Sequence, residues 1–102
     1  MNRQEHLMTI AMEECAEVSQ RISKAMRFGM EQVQRDANDK PEENPDRMTN
    51  RERIQEEFAD LVAVLEMIDT GLVTVTSMQV AAKRDKVERY LVRSRDNGTL
   101  TD

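Results

Sequence analysis

The sequence predicts an all-α chain, and three observations predict it. Apolar residues recur at helical spacing over three long stretches. Almost nothing alternates with period two, the best such run being Leu72 to Thr76, and glycine and proline are scarce outside the middle. At 102 residues one domain is expected over 1–98, with a loose tail over 99–102. Phe28, Phe58 and Tyr90 are the only aromatic residues, so core volume must come from Leu, Ile, Val and eight Met. So thin a supply of core leaves room for the unit to be incomplete alone.

The first helix is expected over 4–28, where Leu7, Ile10, Ala11, Val18, Ile22, Ala25 and Met26 keep the spacing without an interior Gly or Pro. Gly29 supplies a C-terminal cap, and Lys24 and Arg27 suit the negative end of the helix dipole. Both cations can also meet a phosphate, although a solvated helix end explains Lys24 equally well. Residues 30–50 lose the periodicity and gather Asp36, Asn38, Asp39, Pro41, Asn44, Pro45 and Asp46, a polar loop that is long for a small domain. Lid and plain connector fit it equally, and a short helix around 30–37 would shorten its irregular part.

The second helix starts at Thr49 or Asn50, either able to cap it. It runs through Ile54, Phe58, Leu61, Val62, Leu65 and Ile68 to a stop at Thr70-Gly71. Its broad apolar arc predicts a central helix touching more than one neighbour. The β-branched stretch 72–77 reads as a connector. Thr76 followed by Gln79 fits a capping box, and Val80, Val87, Tyr90 and Leu91 carry a third helix to Asn97-Gly98.

A net charge of −5 argues against a surface for nucleic-acid polymers, which need a basic footprint. No apolar run is long enough to span a bilayer, the N-terminus begins polar, and Cys15 is the only cysteine. The expectation is a soluble cytoplasmic protein without membrane contact.

Two acidic pairs carry the chemistry: Glu14-Cys15-Ala16-Glu17 and Glu57-Phe58-Ala59-Asp60, preceded by Glu13 and Glu56. Residues three apart on a helix lie one above the other. At about 100° per residue, Glu14 and Glu17 share the arc of Leu7, Ile10, Val18 and Ala25, while Glu57 and Asp60 share that of Val64, Met67 and Ile68. Carboxylates on core-facing arcs repel one another and are costly to desolvate, so they need cations or protons. Antiparallel packing would bring both pairs into one cleft. With no nitrogen or sulfur ligand in the pattern, the donor set favours Mg²⁺ or Mn²⁺. Cys15, between the acids in sequence, turns away on the helical wheel and reads as a small packing residue.

The third helix holds Lys83, Arg84, Lys86, Arg89, Arg93 and Arg95 in an otherwise acidic chain. Lys83, Lys86 and Arg89 suit a phosphate chain, with Tyr90 stacking on or hydrogen-bonding to a base or ribose. The plain alternative is a solvated basic face. An acidic metal site beside a basic helix matches the two halves of a metal–polyphosphate complex.

From about residue 5 to 92 these motifs resemble the all-α nucleoside triphosphate pyrophosphohydrolases of the MazG-like group, whose signature is ExxE on one helix and ExxD on the next. The resemblance implies an antiparallel helical bundle completed by oligomerisation, as a homodimer or homotetramer, that hydrolyses an NTP or dNTP to the monophosphate and pyrophosphate. It implies Mg²⁺, with Mn²⁺ as substitute, on Glu14, Glu17, Glu57 and Asp60. Glu13, or failing it Glu56, is the expected catalytic group that accepts the proton of water. Lys83, Lys86 and Arg89, with Lys24 and Arg27, would bind the substrate phosphates. More residues separate Glu17 from Glu57 than is usual in that group, so base choice does not carry over. The compact form is similar to small phage-type members, including the MazZ branch acting on dGTP and GTP, and a phage-encoded member would work in the host cytoplasm.

Two other classes compete. Ferritin-like di-iron bundles use Glu-x-x-His pairs, whereas His6, the only histidine, lies outside both acidic pairs. A non-enzymatic acidic helical adaptor or inhibitor explains the charge, but not why acids interrupt core-facing arcs.

Overall fold

Asn2 opens the first helix. Its side-chain oxygen accepts the Glu5 N–H at 2.8 Å and its amide donates to the Glu5 carboxylate at 3.1 Å, a reciprocal cap. In the computed structural model, which describes residues 1–33, 46–68 and 71–102, α1 spans Arg3–Phe28, α2 Asn50–Ile68 and α3 Ser77–Asp96. No strand occurs among the described residues, so the all-α expectation holds. No described helix is long and apolar enough to cross a membrane.

α1 ends where the sequence places its cap. Gly29 has φ 105°, a conformation open to glycine, and its N–H reaches the Ala25 carbonyl at 2.8 Å. The chain then folds back. Val33 and Thr49 form an isolated antiparallel bridge, Asn50 N–H donates to the Gln32 carbonyl at 2.9 Å, and Arg51 N–H donates to the Met30 carbonyl at 2.8 Å. The Asn50 side chain, 1% exposed, donates to the Gly29 carbonyl at 2.9 Å. Arg51 and Glu31 add an ion pair.

Both candidate caps of the second helix are used, for different ends. Thr49 caps: its hydroxyl accepts the Glu52 N–H at 3.1 Å, and the Glu52 carboxylate accepts the Thr49 N–H at 3.1 Å. Asn50 is instead the first helical residue and stitches α2 to the end of α1. The short helix expected around 30–37 is not formed over residues 30–33, and the rest of it lies outside the described residues. So do most of the expected lid or connector and the Thr70 half of the expected stop. Gly71 follows with φ 143°.

The chain divides into two compact units, Met1–Leu72 and Val73–Asp102. In the first, α1 and α2 pack together as a hairpin. Leu7, Ala25 and Ile68 are the buried apolar side chains among the described residues. The arc of α2 is less covered than its breadth predicts, since Phe58, Val62, Leu65 and Met67 are exposed. Periodicity identifies which face is apolar without identifying what covers it.

In the second unit, 73–76 is irregular, as expected of a connector, and α3 starts with the expected capping box. The Gln79 N–H donates to Thr76 Oγ1 at 3.1 Å and the Thr76 N–H to Gln79 Oε1 at 2.9 Å. The helix closes at Asn97, whose N–H reaches the Arg93 carbonyl at 3.0 Å. The tail folds back on the end of α3. Thr99 and Leu100 donate backbone N–H groups to the Ser94 carbonyl at 2.9 and 3.0 Å, and Arg95 Nε donates to the Asp102 carbonyl at 3.0 Å. These bonds satisfy carbonyls that the helix end leaves free. No residue of α3 is buried.

Candidate functional site

The hairpin brings three of the expected ligands together. Glu14 and Glu17, one turn apart on α1, and Glu57 on α2 each offer a carboxylate oxygen within 4.8 Å of the others. Antiparallel packing, set by the Gly29–Asn50 junction, is what puts residue 57 opposite residues 14 and 17. Glu14 and Glu57 are half-buried, whereas Glu17 and Asp60 are exposed. Acid therefore turns inward at one position of each pair.

So close a group resists full ionisation. Burial pushes the Glu57 carboxyl up to about 7, helped by a hydrogen bond shared with Glu17 and by the negative charges of Glu17, Glu14 and Asp60. Glu14 is raised as well, first by burial and then by Glu17 and Asp60, while a hydrogen bond with Glu57 works against the rise. Oε2 of Glu14 and Oε2 of Glu57 are shielded from solvent and have no hydrogen-bond partner. Gln4 Oε1, in the first turn of α1, shares that condition.

No family model matches the chain, and no curated protein or solved structure is significantly similar to it.

The remaining expected residues fall at and beyond the edge of this cluster. Asp60 stands outside the group of three, yet its charge acts on both Glu14 and Glu57. Glu13 and Glu56 are exposed and outside the group, and the charge of Glu56 is felt by Arg53. Lys24 is half-buried, and the Arg27 guanidinium stacks over the Phe28 ring at 4.8 Å. His6 is exposed, in keeping with a solvated histidine. Cys15 is exposed too, which corrects its reading as a packing residue: on the wheel it turns away from the acids, and that direction is solvent.

Sequence reasoning passed over Arg21 and Arg53. Both are half-buried, and burial followed by the nearby Arg21 charge lowers the Arg53 pKa, with Glu56 and Glu57 opposing. Their signal was available: Arg21 is four residues after Glu17, and Arg53 is four before Glu57.

On α3, Lys83, Lys86, Arg89 and Tyr90 are all exposed. Lys83 and Arg84 flank a shallow groove of about 470 Å³ whose apolar lining comes from Val75, Val80 and Val87. Lys86 Nζ lies 5.8 Å from the centroid of the Tyr90 ring, so the cation and the ring are already paired.

Proposed function

We propose that the Glu14–Glu17–Glu57 cluster holds a divalent cation, Mg²⁺ or Mn²⁺, and that the chain hydrolyses a nucleoside triphosphate to the monophosphate and pyrophosphate. One observation carries the reading: three carboxylate oxygens from two helices lie within 4.8 Å, and two of these acids keep a shielded oxygen without a partner. The residues fit such an ion, because the donor set is all oxygen and anionic, which hard divalent cations prefer. Asp60 would complete the ligand set from the rim. A divalent cation there supplies the Lewis acidity that polarises phosphate oxygens and water.

The chain's own residues do the rest. Glu14 and Glu57 hold the inner side of the site, and Glu17 and Asp60 the solvent side. Glu13 or Glu56, both exposed, accepts the proton of water. Lys83, Lys86 and Arg89 neutralise the phosphate chain, with Lys24 and Arg27 as further cations and Tyr90 against the base or ribose. What supports a triphosphate substrate is the order of the two acidic pairs and the basic helix that follows them, the features that resemble the MazG-like group. dGTP and GTP are the first substrates to try.

The same reading includes a homodimer or homotetramer. Phe58, Val62 and Leu65 on α2 and Val80, Val87, Tyr90 and Leu91 on α3 are exposed, and a second copy would cover them. A reducing cytoplasm suits the exposed, unpaired Cys15.

Incubation with each NTP and dNTP plus Mg²⁺ tests the proposal, with release of monophosphate and pyrophosphate as the expected result. If no nucleotide is cleaved and no Mg²⁺ or Mn²⁺ binds, the exposed apolar faces belong instead to a non-enzymatic interaction protein.

A further inference from the structure

Two arginines that the proposed reaction does not use, Arg21 and Arg53, stand on the helices that carry the acidic cluster. Arg21 lies one turn beyond Glu17 on α1, and Arg53 one turn before Glu57 on α2. Because the helices run antiparallel, both fall on the same side of the cluster, toward the Gly29–Asn50 junction, displaced by about 6 Å along each helix. Both are half-buried. A glutamate four residues before an arginine is the favourable order for a helical ion pair, yet Arg21 forms none with Glu17. Among the described residues neither guanidinium makes an ion pair or hydrogen bond. Arg51, by contrast, pairs with Glu31. Arg21 and Arg53 are near enough for one charge to disfavour the other.

Two partly desolvated guanidiniums that repel each other and form no ion pair, with Glu56 and Glu57 only partly offsetting the cost at Arg53, do little to stabilise a fold. They do suit an anion between them, since each planar fork can donate two parallel hydrogen bonds to a phosphate. We propose that Arg21 and Arg53 form a phosphate subsite that grips the end of a polyphosphate chain whose other phosphates share the cation on Glu14, Glu17 and Glu57. The inference rests on the divalent-cation reading above and deepens it. The subsite reads polyphosphate length: pyrophosphate and triphosphate reach both the cation and the arginines, and orthophosphate reaches one or the other.

The test is calorimetric, on the full chain, in two stages. Mg²⁺ alone is titrated first into wild type, Arg21→Gln, Arg53→Gln and the double variant. Inorganic pyrophosphate is then titrated in saturating Mg²⁺, with orthophosphate as the comparison. Mg²⁺ affinity is expected to be unchanged or higher in the variants, because positive charge beside the ligands is removed. Pyrophosphate affinity should fall about tenfold for each single change and further for the pair, with the preference over orthophosphate lost. Arg21→Lys and Arg53→Lys, which keep the charge but not the fork, should fall between. Melting of the ligand-free glutamine variants should occur at or above the wild-type temperature, since a repulsion is relieved.

Unchanged pyrophosphate affinity in a double variant that binds Mg²⁺ would overturn the subsite and leave the cation site standing. Failure of wild type to bind Mg²⁺ would remove both. Lost helicity in the glutamine variants, restored by lysine, would make the pair structural and likewise overturn the subsite.

Discussion

Two polar places inside the same hairpin are built in opposite ways. At the junction, buried Asn50 donates its side-chain amide to Gly29 and its backbone N–H to Gln32, so both donors are matched. At the cluster, Glu14 and Glu57 each keep a shielded oxygen without a partner, and their pKa values rise. A buried polar group that is hydrogen-bonded serves architecture, and one left unmatched costs stability that must be recovered elsewhere. The cluster is thus the part of the hairpin that the proposal assigns to a cation, and the junction is what holds it in register.

The comparison breaks most sharply on the cluster side. Glu17→Ala or Asp60→Ala should lower nucleotide hydrolysis at least about a hundredfold while leaving the far-ultraviolet dichroism helical, because each removes a ligand rather than core volume. Turnover and helicity measured on the same sample separate those effects. Next in size is the junction. Asn50→Ala removes the shorter of the two hydrogen bonds to the Gly29 carbonyl, leaving only the 3.4 Å one from the Gln32 N–H, and should cost about 2 kcal/mol, or roughly 8–16 °C in Tm, seen in a thermal melt.

The cluster's pH response has the opposite sign to that of a salt-bridged acid. With the folded pKa of Glu57 raised to about 7 from 4.5, the metal-free folded chain binds more protons than the unfolded chain between those values. The contribution of Glu57 to stability is therefore fullest below about pH 4.5 and declines as pH rises toward 7, and Glu57→Gln should remove that component of the pH dependence in melts across pH. Mg²⁺ affinity should rise over the same window, as the proton leaves.

Smaller still is the cap. Thr49→Ala removes the hydroxyl that accepts the Glu52 N–H and should cost about 1 kcal/mol in denaturant unfolding. Cys15→Ser, at an exposed position, should fall within about 0.5 kcal/mol of wild type.

Much of the secondary structure was legible in the sequence because its signals are local. Gly29, the Thr76–Gln79 box and Asn97-Gly98 mark helix ends through backbone groups within a turn of themselves, and the helical period put Glu14 and Glu57 on inward arcs. What stayed hidden depends on residues far apart in the chain. Asn50 reads as a cap until Gly29 is placed beside it. Arg21 and Arg53 read as ordinary surface cations until the two helices are set antiparallel. The same limit explains Phe58, Val62 and Leu65, whose spacing announces an apolar face while its covering depends on what else packs there. Cys15 was misread because its small size suggests burial, whereas the arc it occupies faces out.

The most direct measurement is calorimetric titration of Mg²⁺, and then Mn²⁺, into the wild-type chain and Glu57→Gln at pH 8, where Glu57 is ionised. Saturable binding to wild type that is lost or strongly weakened in the glutamine variant is the predicted result. Absence of binding to wild type, or equal binding to both, would contradict a cation held between the two helices.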